Sequence, residues 1–124
     1  DACEKNGFKR DELLLLRGDD GTTDEFVLQG GHGCISVTAN VAPSEMHQLM
    51  MSALKKDIDE VKRINAPLTN LHRDEFIEAN PIPIKWAVKR IGQIDCSYLR
   101  PPLDELAPEF RGTVESALRD AGLI

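Results

Sequence analysis

The fold turns on the stretch ELLLLRGDDGTTDEFVLQGGHGCISVT, Glu12 to Thr38. Leu13 to Leu16 are four consecutive leucines bounded by Glu12 and Arg17 and followed by Gly18. A short apolar run without alternation reads as a strand buried on both faces, as in a parallel sheet, although periodicity alone leaves a buried helix fragment open. Gly18-Asp19-Asp20-Gly21 is a turn, and Thr22 or Thr23 is placed to cap a helix over Asp24 to Gln29. Gly30-Gly31 ends that helix, since glycine accepts the left-handed conformation found at helix ends. Gly33 to Thr38, rich in β-branched residues, reads as a second strand. A strand, a helix and a strand joined by such short loops imply parallel strands and a right-handed crossover.

Downstream, Ala39 to Ala42 is a loop and Pro43 suits the first turn of the next helix. Ser44 to Lys55 continue it, with Met46, Leu49, Met50, Ala53 and Leu54 on one face. After Lys56 the pattern is helical only. Asp57 is placed to cap a long helix whose apolar residues fall at Ile58, Val61, Ile64, Leu68 and Leu71, with Pro67 kinking or dividing it. Asn80-Pro81 opens a helix over Ile82 to Ile91, in whose first turn Pro83 is tolerated, and Gly92 closes it. Leu99 to Pro102 is an extended connector. The last helix runs from about Pro108 to Ala121 on the stripe Phe110, Val114, Ala117, Leu118 and Ala121.

With 124 residues there is material for one core. Apolar residues at 41% and charged residues at 29% describe a globular chain. Leu13 to Leu16, the longest apolar run, is far short of the roughly 20 residues that cross a bilayer, and no signal-peptide pattern is visible. The net charge is −6 and the isoelectric point is near 5.0. Lys55-Lys56 and Lys89-Arg90 are short and flanked by acidic residues, so neither a nucleic acid nor an anionic membrane is an expected partner. Cys3, Cys34 and Cys96 form no C-x-x-C pair. They suggest neither a disulfide framework nor zinc, and they fit a reducing cytoplasm.

Local motifs name no catalyst. Asp19-Asp20-Gly21 lacks the alternating oxygen ligands and closing glutamate of a calcium loop. Gly30 to Gly33 precedes a strand, whereas phosphate-cradling loops follow one. His32, His47 and His72 lack metal-binding spacing, and His47 and His72 read as packed or solvated helix residues. A Schiff-base enzyme needs a desolvated lysine. Lys55, Lys56, Lys62, Lys85 and Lys89 fall instead on helices among other charges, and Lys5 and Lys9 in a polar N-terminal segment. No metal or cofactor is expected.

Three strings go further: GDD at Gly18 to Asp20, GGHGCISVTAN at Gly30 to Asn40, and NPIPIKWAVKRIG at Asn80 to Gly92. With LRPPLDELAP at Leu99 to Pro108 and the AGLI ending, the chain resembles the C-terminal part of the dihydrodipicolinate synthases along essentially its whole length. The resemblance implies the last two strands of a (β/α)8 TIM barrel followed by an all-helical tail. The barrel portion would be residues 1–56 and the helical region 57–124.

The family's enzymes are class I aldolase-type lyases, usually homotetrameric, that condense pyruvate with L-aspartate 4-semialdehyde in lysine biosynthesis. A lysine forms an imine with pyruvate and a tyrosine relays protons. By position, Leu13 to Leu16 would be the seventh strand and Cys34 to Val37 the eighth. Ile35 matches the residue whose backbone contacts pyruvate, and Gly18 and Asp19 match positions lining the same pocket. The imine-forming lysine belongs to the sixth strand, upstream of Asp1, so no catalytic residue is expected within this chain. Its partner would be the N-terminal part of the barrel. Two alternatives stand beside this reading. One is a noncatalytic remnant that self-associates through open strand edges; the other is a piece of an N-acetylneuraminate-lyase-like aldolase sharing the Schiff-base chemistry.

Overall fold

The computed structural model describes residues 13–124. Strand β1 (Leu16–Arg17) pairs in parallel with β2 (Gly33–Cys34), with Leu16 opposite Gly33 and Arg17 opposite Cys34. The pairing extends slightly beyond the strands: His32 N–H donates to the Leu15 carbonyl at 2.8 Å and Ile35 N–H to the Arg17 carbonyl at 2.8 Å. Leu15 N–H donates to His32 Nδ1 at 2.9 Å. Between the strands lies α1 (Thr23–Leu28), entered through a 3-10 turn at Asp20–Thr22. The strand–helix–strand order is therefore as expected, but the strands are much shorter.

The difference is greatest at the leucines. Leu13, Leu14 and Leu16 are 42%, 73% and 50% exposed, where burial on both faces was expected. Two strands offer only each other as neighbours, and among the described residues nothing further covers these side chains. The second strand also stops early. Val37 adopts a helical backbone, and Thr38–Asn40 form a 3-10 turn in place of the expected strand end. Thr22 does not cap α1; its hydroxyl donates to the Asp19 carboxylate. Gly31 permits the chain's return to β2, because a Cβ there would run into the Phe26 ring and lie 2.9 Å from the Phe26 carbonyl oxygen.

The helical part follows the pattern closely. Helix α2 (Pro43–Leu54) ends at Lys56, whose φ of 61° reverses the chain. Asp57 caps α3 (Ile58–Asn65) by accepting from Glu60 N–H at 3.2 Å. Pro67 divides the long helix as expected: a 3-10 turn at Ala66–Leu68 leads into α4 (Thr69–Asp74). Helix α5 (Ile82–Arg90) is closed by Gly92 at φ 81°, and α6 (Pro108–Asp120) ends the fold.

One apolar core joins all of this, including Val27 from α1, Leu49 from α2, Val61 from α3, Leu71 from α4, Ile84 from α5 and Leu118 from α6. Leu54 and Ile58, both expected on the buried stripes, lie outside it at 48% and 53% exposure. They flank the reversal at Lys56, where the helix ends turn away from the centre. Removing a buried anchor leaves a cavity as well as a lost transfer energy. Leu71→Ala should therefore lower the unfolding free energy by about 2–5 kcal/mol in urea titrations, while Leu14→Ala should stay within about 0.5 kcal/mol.

Candidate functional site

Immediately past the ends of both strands the chain opens into a cavity of about 670 Å³. Gly18 forms part of its wall from the β1 side, Ile35, Val37 and Asn40 from the β2 side, Asn80 from the turn before α5 and Lys85 from α5 itself. The lining is mainly apolar with a few polar groups, the usual character of a small-molecule site. Ends of parallel strands are also where barrel enzymes carry their chemistry. Of the positions expected to line one pocket, Gly18 and Ile35 meet here.

Ile35 is 72% exposed, so its side chain is not core packing. Its N–H is already spent on the Arg17 carbonyl, which leaves the carbonyl oxygen or the side chain to meet a ligand. Asp19 faces elsewhere. It lies on a separate hollow of about 440 Å³ with Asn65, His72, Arg73 and Phe76. Its carboxylate meets Arg17 at 3.6 Å and accepts from the Thr22 hydroxyl.

The cavity wall is built by Asp20. Its side chain is buried, and one carboxylate oxygen accepts from Val37 N–H at 2.8 Å and Thr38 N–H at 2.9 Å. The loop after β1 is thereby bonded to the loop after β2. Thr38 carries the linkage into the helical region: its hydroxyl lies 2.7 Å from His72 Nδ1 and 2.8 Å from a Glu75 carboxyl oxygen. On its far side, His72 Nε2 meets Asn65 Oδ1 at 3.1 Å, and Asn65 Nδ2 donates to Asp24 at 3.0 Å. Asp20, Thr38, His72 and Glu75 are all buried.

Burial pushes the Glu75 carboxyl up to about 8, helped by the Asp20 charge and opposed by the Thr38 hydrogen bond. Burial pushes the His72 imidazole below its ordinary value, against the pull of Asp20, Asp24 and Asp19. Both groups are therefore held uncharged near neutrality. The Cys34 thiol is also pushed up, chiefly by burial, so it is no ready nucleophile.

Asp20, His72 and Glu75 bring potential ligand atoms within 4.8 Å of one another. Sequence spacing gave little sign of this, because Asp20 lies some fifty residues before His72 and Glu75. Both imidazole nitrogens, however, are already bonded to Thr38 and Asn65. A cation would find no free nitrogen lone pair, and the cluster is a hydrogen-bonded network.

Lys85 and Asn80 were passed over as ordinary helix-face and cap residues, and Glu75 drew no notice because a carboxylate is expected to face water. His72 and Glu75 are three residues apart and share a helix face, the one local hint available. Raised by burial, the Glu75 carboxyl contributes stability in full below its ordinary 4.5, and that stability is lost as pH climbs to about 8. His72, shifted down, acts oppositely and loses stability as pH falls below 6.5. The stability of Glu75→Gln relative to the unmodified chain should therefore rise across the interval from about 4.5 to 8 and level off above it, read from urea midpoints at each pH.

A family model described as the dihydrodipicolinate synthetase family matches residues 4–121. The 4-hydroxy-tetrahydrodipicolinate synthase of Azoarcus sp. (strain BH72) is 48% identical over 98% of this chain and 41% of its own length. That of Laribacter hongkongensis (strain HLHK9) is 50% identical over 91% of this chain and 38% of its own. Among solved structures, the chloride-inhibited dihydrodipicolinate synthase of Acinetobacter baumannii complexed with pyruvate superposes with a TM-score of 0.87. It is 43% identical, covering 91% of this chain and 38% of that one. The chain thus spans about two fifths of the length of the curated relatives it matches.

Proposed function

The chain belongs to the dihydrodipicolinate synthetase family, and from that premise we propose that it supplies the C-terminal wall of a Schiff-base aldolase condensing pyruvate with L-aspartate 4-semialdehyde. The product would be 4-hydroxy-tetrahydrodipicolinate. The observation that carries the reading is the cavity at the strand ends, where Gly18 and Ile35, the positions matched to the family's pyruvate pocket, come together. The parallel pair and the helices around it are part of a (β/α)8 barrel and its helical extension, so residues 1–56 would complete the barrel and 57–124 would buttress it.

In this reading the chain shapes the pocket and leaves the covalent step to a lysine on the N-terminal part of the barrel. The Ile35 carbonyl would face pyruvate and Gly18 would leave room for it, whereas Asp19, on its separate hollow, would stay out of contact with it. A class I aldolase needs that lysine with its pKa lowered, and a positioned proton donor. Neither role falls to a residue identified in this chain. Its partners are the N-terminal part of the barrel and, in the assembled enzyme, further copies of itself. A cytoplasmic location fits the free thiols Cys34 and Cys96, and among the described residues no helix is long and apolar enough to cross a membrane.

The exposed Leu13, Leu14, Leu16 and Ile35 support a second reading, in which the chain self-associates without catalysis. Borohydride reduction in the presence of pyruvate separates the two. This chain alone should gain no pyruvyl adduct. Mixed or co-expressed with the N-terminal part of the barrel, it should restore an adduct on that partner and turnover of aspartate semialdehyde. Labelling of a lysine in this chain, or homo-oligomers that refuse the N-terminal part in native mass spectrometry, would defeat the proposal. Preference for N-acetylmannosamine over aspartate semialdehyde would move it to the neuraminate-lyase branch.

A further inference from the structure

The hydrogen atoms of the buried network can be assigned from its geometry. The Asp24 carboxylate can only accept, so Asn65 turns its amide nitrogen there and presents its carbonyl oxygen to His72. Facing an acceptor, His72 Nε2 must carry a hydrogen. In a neutral imidazole Nδ1 is then a lone pair, and the Thr38 hydroxyl must donate to it. That spends Thr38's only hydrogen. The Glu75 oxygen at 2.8 Å can therefore bond to Thr38 only by donating, as a protonated acid.

We propose that Thr38 is a positioning residue whose hydroxyl carries a one-proton chain from Glu75 to His72, and that this chain holds the Val37–Thr38 wall of the cavity in place. One proton is enough to satisfy every contact. The charged alternative has the same stoichiometry: the Glu75 O–H breaks, its proton passes to Thr38 oxygen, and the former Thr38 proton passes to Nδ1. It would bury a carboxylate and an imidazolium where Glu75 is 0% and His72 5% exposed, so the neutral arrangement is preferred. Among the described residues the second Glu75 oxygen has no partner, a far smaller penalty for a neutral acid than for a carboxylate.

Removing the proton leaves the Thr38 hydroxyl between two acceptors with one hydrogen to give, and one contact must open. Among the described residues the surroundings offer no cation to compensate. Asp20 faces the network from the loop after β1; Asp24 and Asp19 face His72 from α1 and the β1 loop. On α4 itself Arg73 is taken by Asp74. Helix α6 also packs on α4, but its Asp120 accepts from Asn70 and its Glu115 is held by Arg90 and Arg119. Displacement of Thr38 would be felt directly in the wall, because Asp20 holds the adjacent Val37 and Thr38 amides and the Val37 carbonyl accepts from both nitrogens of Asn40. That this wall belongs to a pyruvate pocket rests on the reading above; the proton chain does not.

Imidazole nitrogen NMR on the full chain tests the assignment. At about pH 7, His72 should be neutral with hydrogen on Nε2, and an imidazolium or an Nδ1–H tautomer overturns the proposal. Exchange protection of the Val37 and Thr38 amides, corrected for intrinsic rates, should fall about tenfold between about pH 7 and about pH 9.5. Glu75→Gln, whose amide nitrogen donates to Thr38 at any pH, should keep that protection flat; an identical fall in Glu75→Gln overturns the role of the proton. Asn65 fixes the tautomer, so Thr38→Ser and Thr38→Val should both keep it. Thr38→Ser should also keep the Nδ1 resonance of a lone pair that accepts a hydrogen bond, Thr38→Val should shift it to that of an unbonded lone pair, and an unmoved Nδ1 resonance in Thr38→Val overturns the relay. In the enzyme reassembled with the N-terminal part of the barrel, Glu75→Gln should remove a rise in pyruvate KM above about pH 8 without changing the pH profile of kcat. Failure to form the pyruvate imine would defeat the aldolase reading while leaving the His72 and amide-exchange results to decide the proton chain.

Discussion

Two hydrogen bonds from the Val37 and Thr38 amides to the buried Asp20 carboxylate hold the strand-end side of this molecule together. Strands of two residues supply little ladder, and a pair of strands is marginal by itself. What keeps their outgoing loops side by side is a carboxylate seated between them. Hydrogen bonds from backbone amides to an ionised acceptor are worth about 1.5–3 kcal/mol each, comparable to the burial of a leucine. Gly18 and Ile35 meet across the cavity because of that clamp.

The helical region serves the same end. Pro67 breaks the long helix, and the 3-10 turn that contains it sets α4 so that Leu71 enters the core while His72 and Glu75 reach Thr38. A layer of polar groups then lies between sheet loops and helices, with its protons assigned by what each neighbour can give or take. Such a layer is costly when partly satisfied and specifying when complete. In the proposed proton chain Glu75 bonds to Thr38 only as a neutral acid, which would give the packing of the tail and the shape of the cavity wall one shared dependence on pH.

The exposed leucines of the β1 approach express the other side of this arrangement. Apolar side chains at 42%, 73% and 50% exposure, beside a strand edge unpaired among the described residues, form a surface that invites a further strand. In a barrel, the neighbouring strand would take that place. The 670 Å³ cavity opens at the same end of the strand pair, in a chain that spans about two fifths of the length of its relatives.

Periodicity, together with caps, prolines and glycines, was enough to locate the helices. The stripes through Leu49, Val61, Leu71 and Leu118 are local features, and a helix closes its own hydrogen bonds within a few residues. The Asp57 cap, the break at Pro67 and the stop at Gly92 were legible for the same reason. The parallel strand order and the places of Gly18 and Ile35 were legible too, the latter only through the GDD and GGHGCISVTAN strings. Strand length and leucine burial were not, because a strand's cover comes from distant chain. The separation of Asp19 from the cavity, and the meeting of Asp20, Thr38, His72 and Glu75, are likewise decided only by the tertiary structure. Those four residues span three segments, and a carboxylate or imidazole declares neither its partners nor its proton until folding removes the water that would otherwise satisfy it.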